Sequence, residues 1–185
     1  MNGKILLTSF QTWLPEQTSN SSDDLLEEIA KLDISPSLTF LRQLPVDVSE
    51  ASQLAIAKIE ELQPDIIICC GMAAKRKKLT VEACATCGYA STRIAQSNQP
   101  DSILLRTSVD LEKLVAGLSV TEISHDAGKF VCEGLYYEVL KYLRKCNLNV
   151  SCIFVHVPVL TQENLPNIVM DFRLIMQHMA NVMPH

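Results

Sequence analysis

Apolar positions along this chain fall into short runs separated by amphipathic stripes. Residues 4–9 form a compact apolar run and read as a first strand, whereas residues 10–20 mix Gln, Thr, Trp, Pro, Glu and Asn without periodicity and read as a loop. Ser21-Ser22-Asp23-Asp24 supplies N-cap chemistry for a helix reaching about Lys31, with Leu25, Leu26, Ile29 and Leu32 on one face. A strand over 38–44 is stopped by Pro45, and a helix over 49–62 carries Ala51, Leu54, Ala55, Ile59 and Leu62 on its stripe. Residues 65–71 are apolar without alternation, the pattern of a strand covered on both faces. Residues 79–87 read as one extended segment and 90–101 as a loop. A short helix over 109–117, a strand over 120–124, a helix over 131–145, a strand over 152–158 and an amphipathic helix over 165–179 complete the chain.

Strands alternating with helices predict an α/β fold, with a largely parallel sheet and helices on both faces. No linker or internal repeat interrupts residues 1–185, so one domain is expected, long enough to bury a sizeable core. A net charge of −5 argues against nucleic acid as the main partner; the basic run Lys75-Arg76-Lys77-Lys78 reads as a solvated loop. It is no phosphate loop, since Gly71 lacks the second Gly followed by Lys-Ser or Lys-Thr. The N-terminal apolar run is too short for a secretory signal or a membrane span, so no membrane partner and a cytoplasmic location are expected. Seven cysteines, several of them in apolar runs, read as free thiols in a reducing compartment. Cys84 and Cys87 have CxxC spacing, but no second pair completes a zinc site and no metal is expected.

Cys132 carries the candidate chemistry. It lies where a loop turns into a helix, and a helix start offers free N–H groups and a positive dipole end that favour a thiolate nucleophile. Such a nucleophile needs an imidazole base and a group to orient that base. His156 ends the last strand, and His125, in the loop before Cys132, is a rival whose plain reading is a polar loop residue. Ligand sites of open α/β sheets lie beyond the carboxyl ends of strands. Residues 10–14, 71–76, 125–132 and 156–158 all follow such ends and are expected along one edge.

Arg42-Gln43-Leu44-Pro45-Val46, Gly128-Lys129-Phe130-Val131-Cys132 and Phe154-Val155-His156-Val157-Pro158 resemble, in order, signature segments of the pyroglutamyl peptidase I (pyrrolidone-carboxylate peptidase) family. The resemblance covers nearly the whole chain. It implies a cofactor-free cysteine peptidase that removes N-terminal pyroglutamate from blocked peptides, on a single-domain three-layer α/β/α sandwich with a mostly parallel twisted sheet. It also implies a homo-oligomer, often a tetramer. Residue by residue, Cys132 matches the nucleophile, His156 the base and Glu82 the carboxylate that orients it. Phe10, Trp13, Met72, Ile94, Phe130 and Val131 match substrate-binding positions. Arg93 matches a transition-state support, with Arg93-Ile94 aligned after a one-residue shift.

The chain also departs from the family pattern. Leu14-Pro15 replaces a glycine pair in the loop after the first strand, so that loop must take another path. Met72 stands for a Gln, Ala83 for an Arg and Cys87 for an Asn. Glu133 replaces the Asn after the nucleophile, and a carboxylate facing the thiolate would raise the thiol pKa. Two alternatives follow: an amidase for another N-terminal acyl group, and an inactive member serving as a binding module.

Overall fold

The computed structural model describes residues 3–32, 37–86 and 104–181. Eight strands and five helices are present there: β1 (Lys4–Phe10), α1 (Ser21–Ala30), β2 (Ser37–Leu44), α2 (Val48–Leu62), β3 (Ile66–Met72), β4 (Leu79–Glu82), β5 (Cys84–Thr86), β6 (Leu104–Arg106), α3 (Leu111–Val115), β7 (Thr121–Ser124), α4 (Val131–Lys145), β8 (Ser151–Val157) and α5 (Leu165–Asn181). Six strands form the central sheet in the order β2-β1-β3-β8-β4-β7, and β5 pairs with β6 in a separate two-stranded sheet.

The uninterrupted apolar strands are covered on both faces, as their sequence requires. Ile66, Ile68, Cys70, Ile153 and Val155 pack with α1, α3 and α5 residues such as Leu26, Leu114 and Phe172. The alternate positions Ile67, Cys69, Cys152 and Phe154 pack with Ala55 and Ile59 of α2 and Leu135 and Val139 of α4. The result is the three-layer α/β/α arrangement with a mostly parallel sheet. Helix stripes are narrower than periodicity suggests: Leu54 is 44% exposed and Leu32 38%. No helix among the described residues is long and apolar enough to cross a membrane.

Four local expectations are corrected. Residues 79–87 do not form one strand: β4 ends at Glu82, and the chain leaves the sheet at Ala83, whose N–H donates to the Ser124 carbonyl at 2.7 Å. Phe10 belongs to β1 rather than to the loop, paired with Leu44 after a bulge. Helix α1 is capped by Asn20, whose side chain accepts from Ser22 N–H, one residue before the predicted cap. The fourth correction concerns direction. β4 is antiparallel to β8 and β7 is parallel to β4, so both run against the other four strands. Residues 73–78 explain this: they are too few for a crossover, which takes a dozen residues or more. The carboxyl end of β7 therefore points away from the edge where β1, β3 and β8 end.

Candidate active site

Side chains two apart on a strand share a face. Gly71 on β3, His156 on β8 and Thr80 on β4 are register partners, so their side-chain positions line one face of three adjacent strands. That face is the one covered by α4, because His156 follows Phe154 by two residues. Residues 125–130 carry the chain from β7 to the start of α4, which brings Cys132 onto the same spot. A Cβ placed on Gly71 would lie 2.6 Å from Cys132 Sγ and 2.9 Å from Phe154 Cζ. Gly71 is thus the gap that seats the thiol.

His156 Nδ1 lies 2.7 Å from Glu82 Oε1, and both side chains are buried. The imidazole packs on Phe154 with ring centroids 4.9 Å apart. The structure thus brings His156 and Glu82 together, while His125 offers its carbonyl to Cys84 Sγ at 3.6 Å. Two further residues reach Glu82. Tyr136, one turn beyond Cys132 on α4, donates its hydroxyl to the Glu82 carbonyl at 3.1 Å. Arg76 Nη1 lies 2.5 Å from Glu82 Oε1 and also donates to the Thr80 hydroxyl, and Nη2 donates to the Asp126 carbonyl at 2.8 Å. The basic run is thus not wholly solvated, since its second residue is built into the site. Glu82 Oε2 is buried and has no partner among the described residues.

The start of α4 is open. Its N-cap residue is Phe130, which makes no side-chain capping bond, and Asp126 instead turns back to accept from Gly128 N–H at 3.0 Å. The N-cap side chain therefore takes up none of the first-turn amides, which suits an oxyanion site. Burial nevertheless decides the state of the thiol. Desolvation pushes Cys132 up to about 12, and the charge of Glu82 adds to it; its own backbone N–H and the charge of Arg76 pull the other way and lose. Loss of hydration thus opposes the pull toward thiolate that the helix start alone suggests. Glu133 does not cause this as its position suggested, for its Oε1 turns to β5 and accepts from the Thr86 N–H at 3.0 Å and from the Thr86 hydroxyl.

The residues that the resemblance assigns to substrate binding separate into a buried pair and an exposed pair. Phe10 and Val131 are buried in the α4-side core, 2% and 4% exposed. Trp13 and Phe130 are half exposed and packed together, ring centroids 5.1 Å apart. The loop that lacks the glycine pair folds as a turn, with Gln17 N–H donating to Leu14 O at 3.0 Å and Pro15 at the second position, where its fixed φ is favoured. The Gln17 side chain then holds the loop, accepting from Trp13 N–H at 3.0 Å and donating to Met72 Sδ at 3.0 Å. Arg93, Ile94 and Cys87 lie outside the described residues.

A buried imidazole–carboxylate pair and a thiol thus share one face of a doubly covered α/β sheet, the kinds of group that a cysteine peptidase uses. The model of the pyroglutamyl peptidase family matches residues 3–113 and 111–171, and the chain belongs to that family. The pyrrolidone-carboxylate peptidase of Thermoanaerobacter sp. (strain X514) is 30% identical over 181 residues, covering 88% of this chain and 85% of its own. That of Brachyspira hyodysenteriae is 28% identical over 185 residues, with 88% and 86% covered. In fold, the crystal structure of pyroglutamyl peptidase I from Bacillus amyloliquefaciens superposes with a TM-score of 0.80 at 23% identity, covering 97% of this chain and 96% of that one.

Proposed function

We propose that this protein removes the N-terminal pyroglutamyl group from peptides, with Cys132 as nucleophile, His156 as general base and then acid, and Glu82 as the group that orients His156. One observation carries the assignment: His156 Nδ1 is fixed on Glu82 Oε1 at 2.7 Å, which leaves Nε2 to face a proton donor. Because burial holds Cys132 as a thiol, its proton passes to His156 as sulfur attacks the acyl carbon. The carbonyl oxygen becomes an oxyanion, received by the open amides at the start of α4, each such donor being worth about 3–4 kcal/mol. Collapse breaks the C–N bond, and the departing amine takes its proton from His156. Water, deprotonated by His156, then opens the thioester, releases the acid and returns the thiol.

Phe10 and Val131 form the floor against which the acyl ring rests, and Trp13 with Phe130 closes its mouth. Arg93, Ile94 and Met72 remain assigned to the substrate side by the resemblance. The free cysteines among the described residues suit a reducing compartment, in keeping with a cytoplasmic location. A homo-oligomer belongs to the same reading. The re-routed turn at Leu14 and Pro15 favours one second reading, an amidase for a related N-terminal acyl group.

Release of a chromogenic amine from a pyroglutamyl amide tests the proposal, with Cys132→Ala as control. Turnover is expected from the wild type and a loss of about 10³-fold or more from the variant. Activity surviving in Cys132→Ala would rule out the nucleophile. Turnover of prolyl or acetyl amides but not the pyroglutamyl amide would favour the second reading.

A further inference from the structure

We propose that Arg76 is a positioning residue that ties the histidine-orienting carboxylate to the loop delivering the nucleophile, and that its charge tempers the pull of Glu82 on the imidazole proton. The inference rests on the reading of Cys132 and His156 given above. Arg76 Nη1 and His156 Nδ1 meet the same carboxylate oxygen, at 2.5 and 2.7 Å. The Glu82 side chain is fully buried, and a buried carboxylate without a cation is strongly disfavoured. Left alone with the imidazole, Glu82 would turn its full negative charge on that ring's N–H. The guanidinium opposes that, because it shares the oxygen the imidazole leans on.

The other arm of Arg76 serves geometry. Nη2 donates to the Asp126 carbonyl at 2.8 Å. Asp126 is itself held by Ser124 Oγ, which accepts from its N–H at 3.2 Å, and by its own carboxylate on Gly128 N–H. Gly128 then turns at φ +88°, a conformation that side chains rarely adopt, and leads into α4. One side chain thus fixes both the orienter of the base and the path of the nucleophile loop. A guanidinium can do this because its donors diverge from a rigid plane; an ammonium keeps the charge but not both arms. The other charged or titratable groups close to Glu82 are Cys132 and Tyr136 of α4, Cys84 of β5 and Asp126, and the first three interact with it electrostatically.

The test compares wild type, Arg76→Met and Arg76→Lys as full-length proteins. In the first measurement, kcat and KM for a pyroglutamyl amide are followed across about pH 5 to 9. With Met, the acidic limb of kcat/KM is expected to move up by about 0.5–1 pH unit, and kcat to fall by about 10-fold or more with a smaller change in KM. With Lys, the limb should stay in place while kcat recovers only in part. An unmoved limb in Arg76→Met, or a limb in Arg76→Lys that moves as far as in Met, would overturn the proposal. The second measurement needs no turnover: alkylation of Cys132 by iodoacetamide at about pH 8 should be several-fold slower in Arg76→Met and close to wild type in Arg76→Lys. A wild type that cleaves no pyroglutamyl amide defeats the parent reading, and the alkylation rates then decide Arg76, equal rates in all three overturning it. Should Arg76→Met not fold, Arg76→Gln takes its place with the same expectations.

Discussion

Two effects contend at Cys132. The open start of α4 favours negative charge, worth about 0.3–1 kcal/mol for an exposed group, whereas loss of hydration at this seat acts on the whole charge and is the larger effect. With the thiol pushed up to about 12, the sulfur rests protonated. The sign is plain for alkylation, since only the thiolate reacts and its fraction grows with pH until the pKa is passed. The rate of Cys132 modification by iodoacetamide, followed by mass spectrometry of the intact protein, is therefore expected to climb beyond about pH 10. A plateau reached near neutrality would show a resident thiolate and contradict this account. Glu133, the one unusual carboxylate beside the nucleophile, has its Oε1 committed to Thr86 and so acts on β5.

At the scale of elements, the site depends on how closely α4 approaches β3, and Gly71 sets that distance. Gly71→Ala would drive a methyl group into Cys132 Sγ and Phe154 at 2.6 and 2.9 Å. The expected result is a loss of about 1–3 kcal/mol in stability, typical of overpacking, with a disproportionate drop in kcat because the thiol is displaced. Urea unfolding and steady-state kinetics on one preparation check both, and unchanged kcat would show that the thiol does not rest there. Much of this level was legible in the chain. Helix α4 begins and ends where its stripe predicts, β3 is buried on both faces as its unbroken apolar run requires, and Cys132, His156 and Glu82 come to one face. Strand direction was not legible from apolar runs, which look the same in either sense; the short link over 73–78 held that information. Arg76 was hidden by its three lysine neighbours, because charge alone does not tell which member of a basic run turns inward. Trp13 could be placed in the loop after the first strand, but not the Gln17 bridge that holds that loop.

For the molecule as a whole, Asp23 is one carboxyl through which acid acts on stability. Burial raises its pKa, but hydrogen bonds from Arg42, Ser9 and Gln43 and the charge of Arg42 together outweigh burial, and the net shift is downward. A carboxyl lowered on folding contributes stability that is present above its ordinary value of 3.8 and is lost as pH falls through the folded value. Asp23→Asn is accordingly expected to lower the urea midpoint at neutral pH, by about 1.5–3 kcal/mol, and to flatten the loss of stability below about pH 4. Equal slopes in acid for the two proteins would remove Asp23 from the acid response. The position of β8 has a consequence for how the protein comes into being. The strand made last enters the middle of the sheet, between β3 and β4, and the residue it brings is His156. A nascent chain that has emerged only as far as α4 has an empty lane in its sheet, two unpaired strand edges and a Glu82 with no imidazole to orient. A chain that stops short of β8 therefore lacks both the strand that closes the sheet and the imidazole beside Glu82, so folding and the completion of this site fall at the same step.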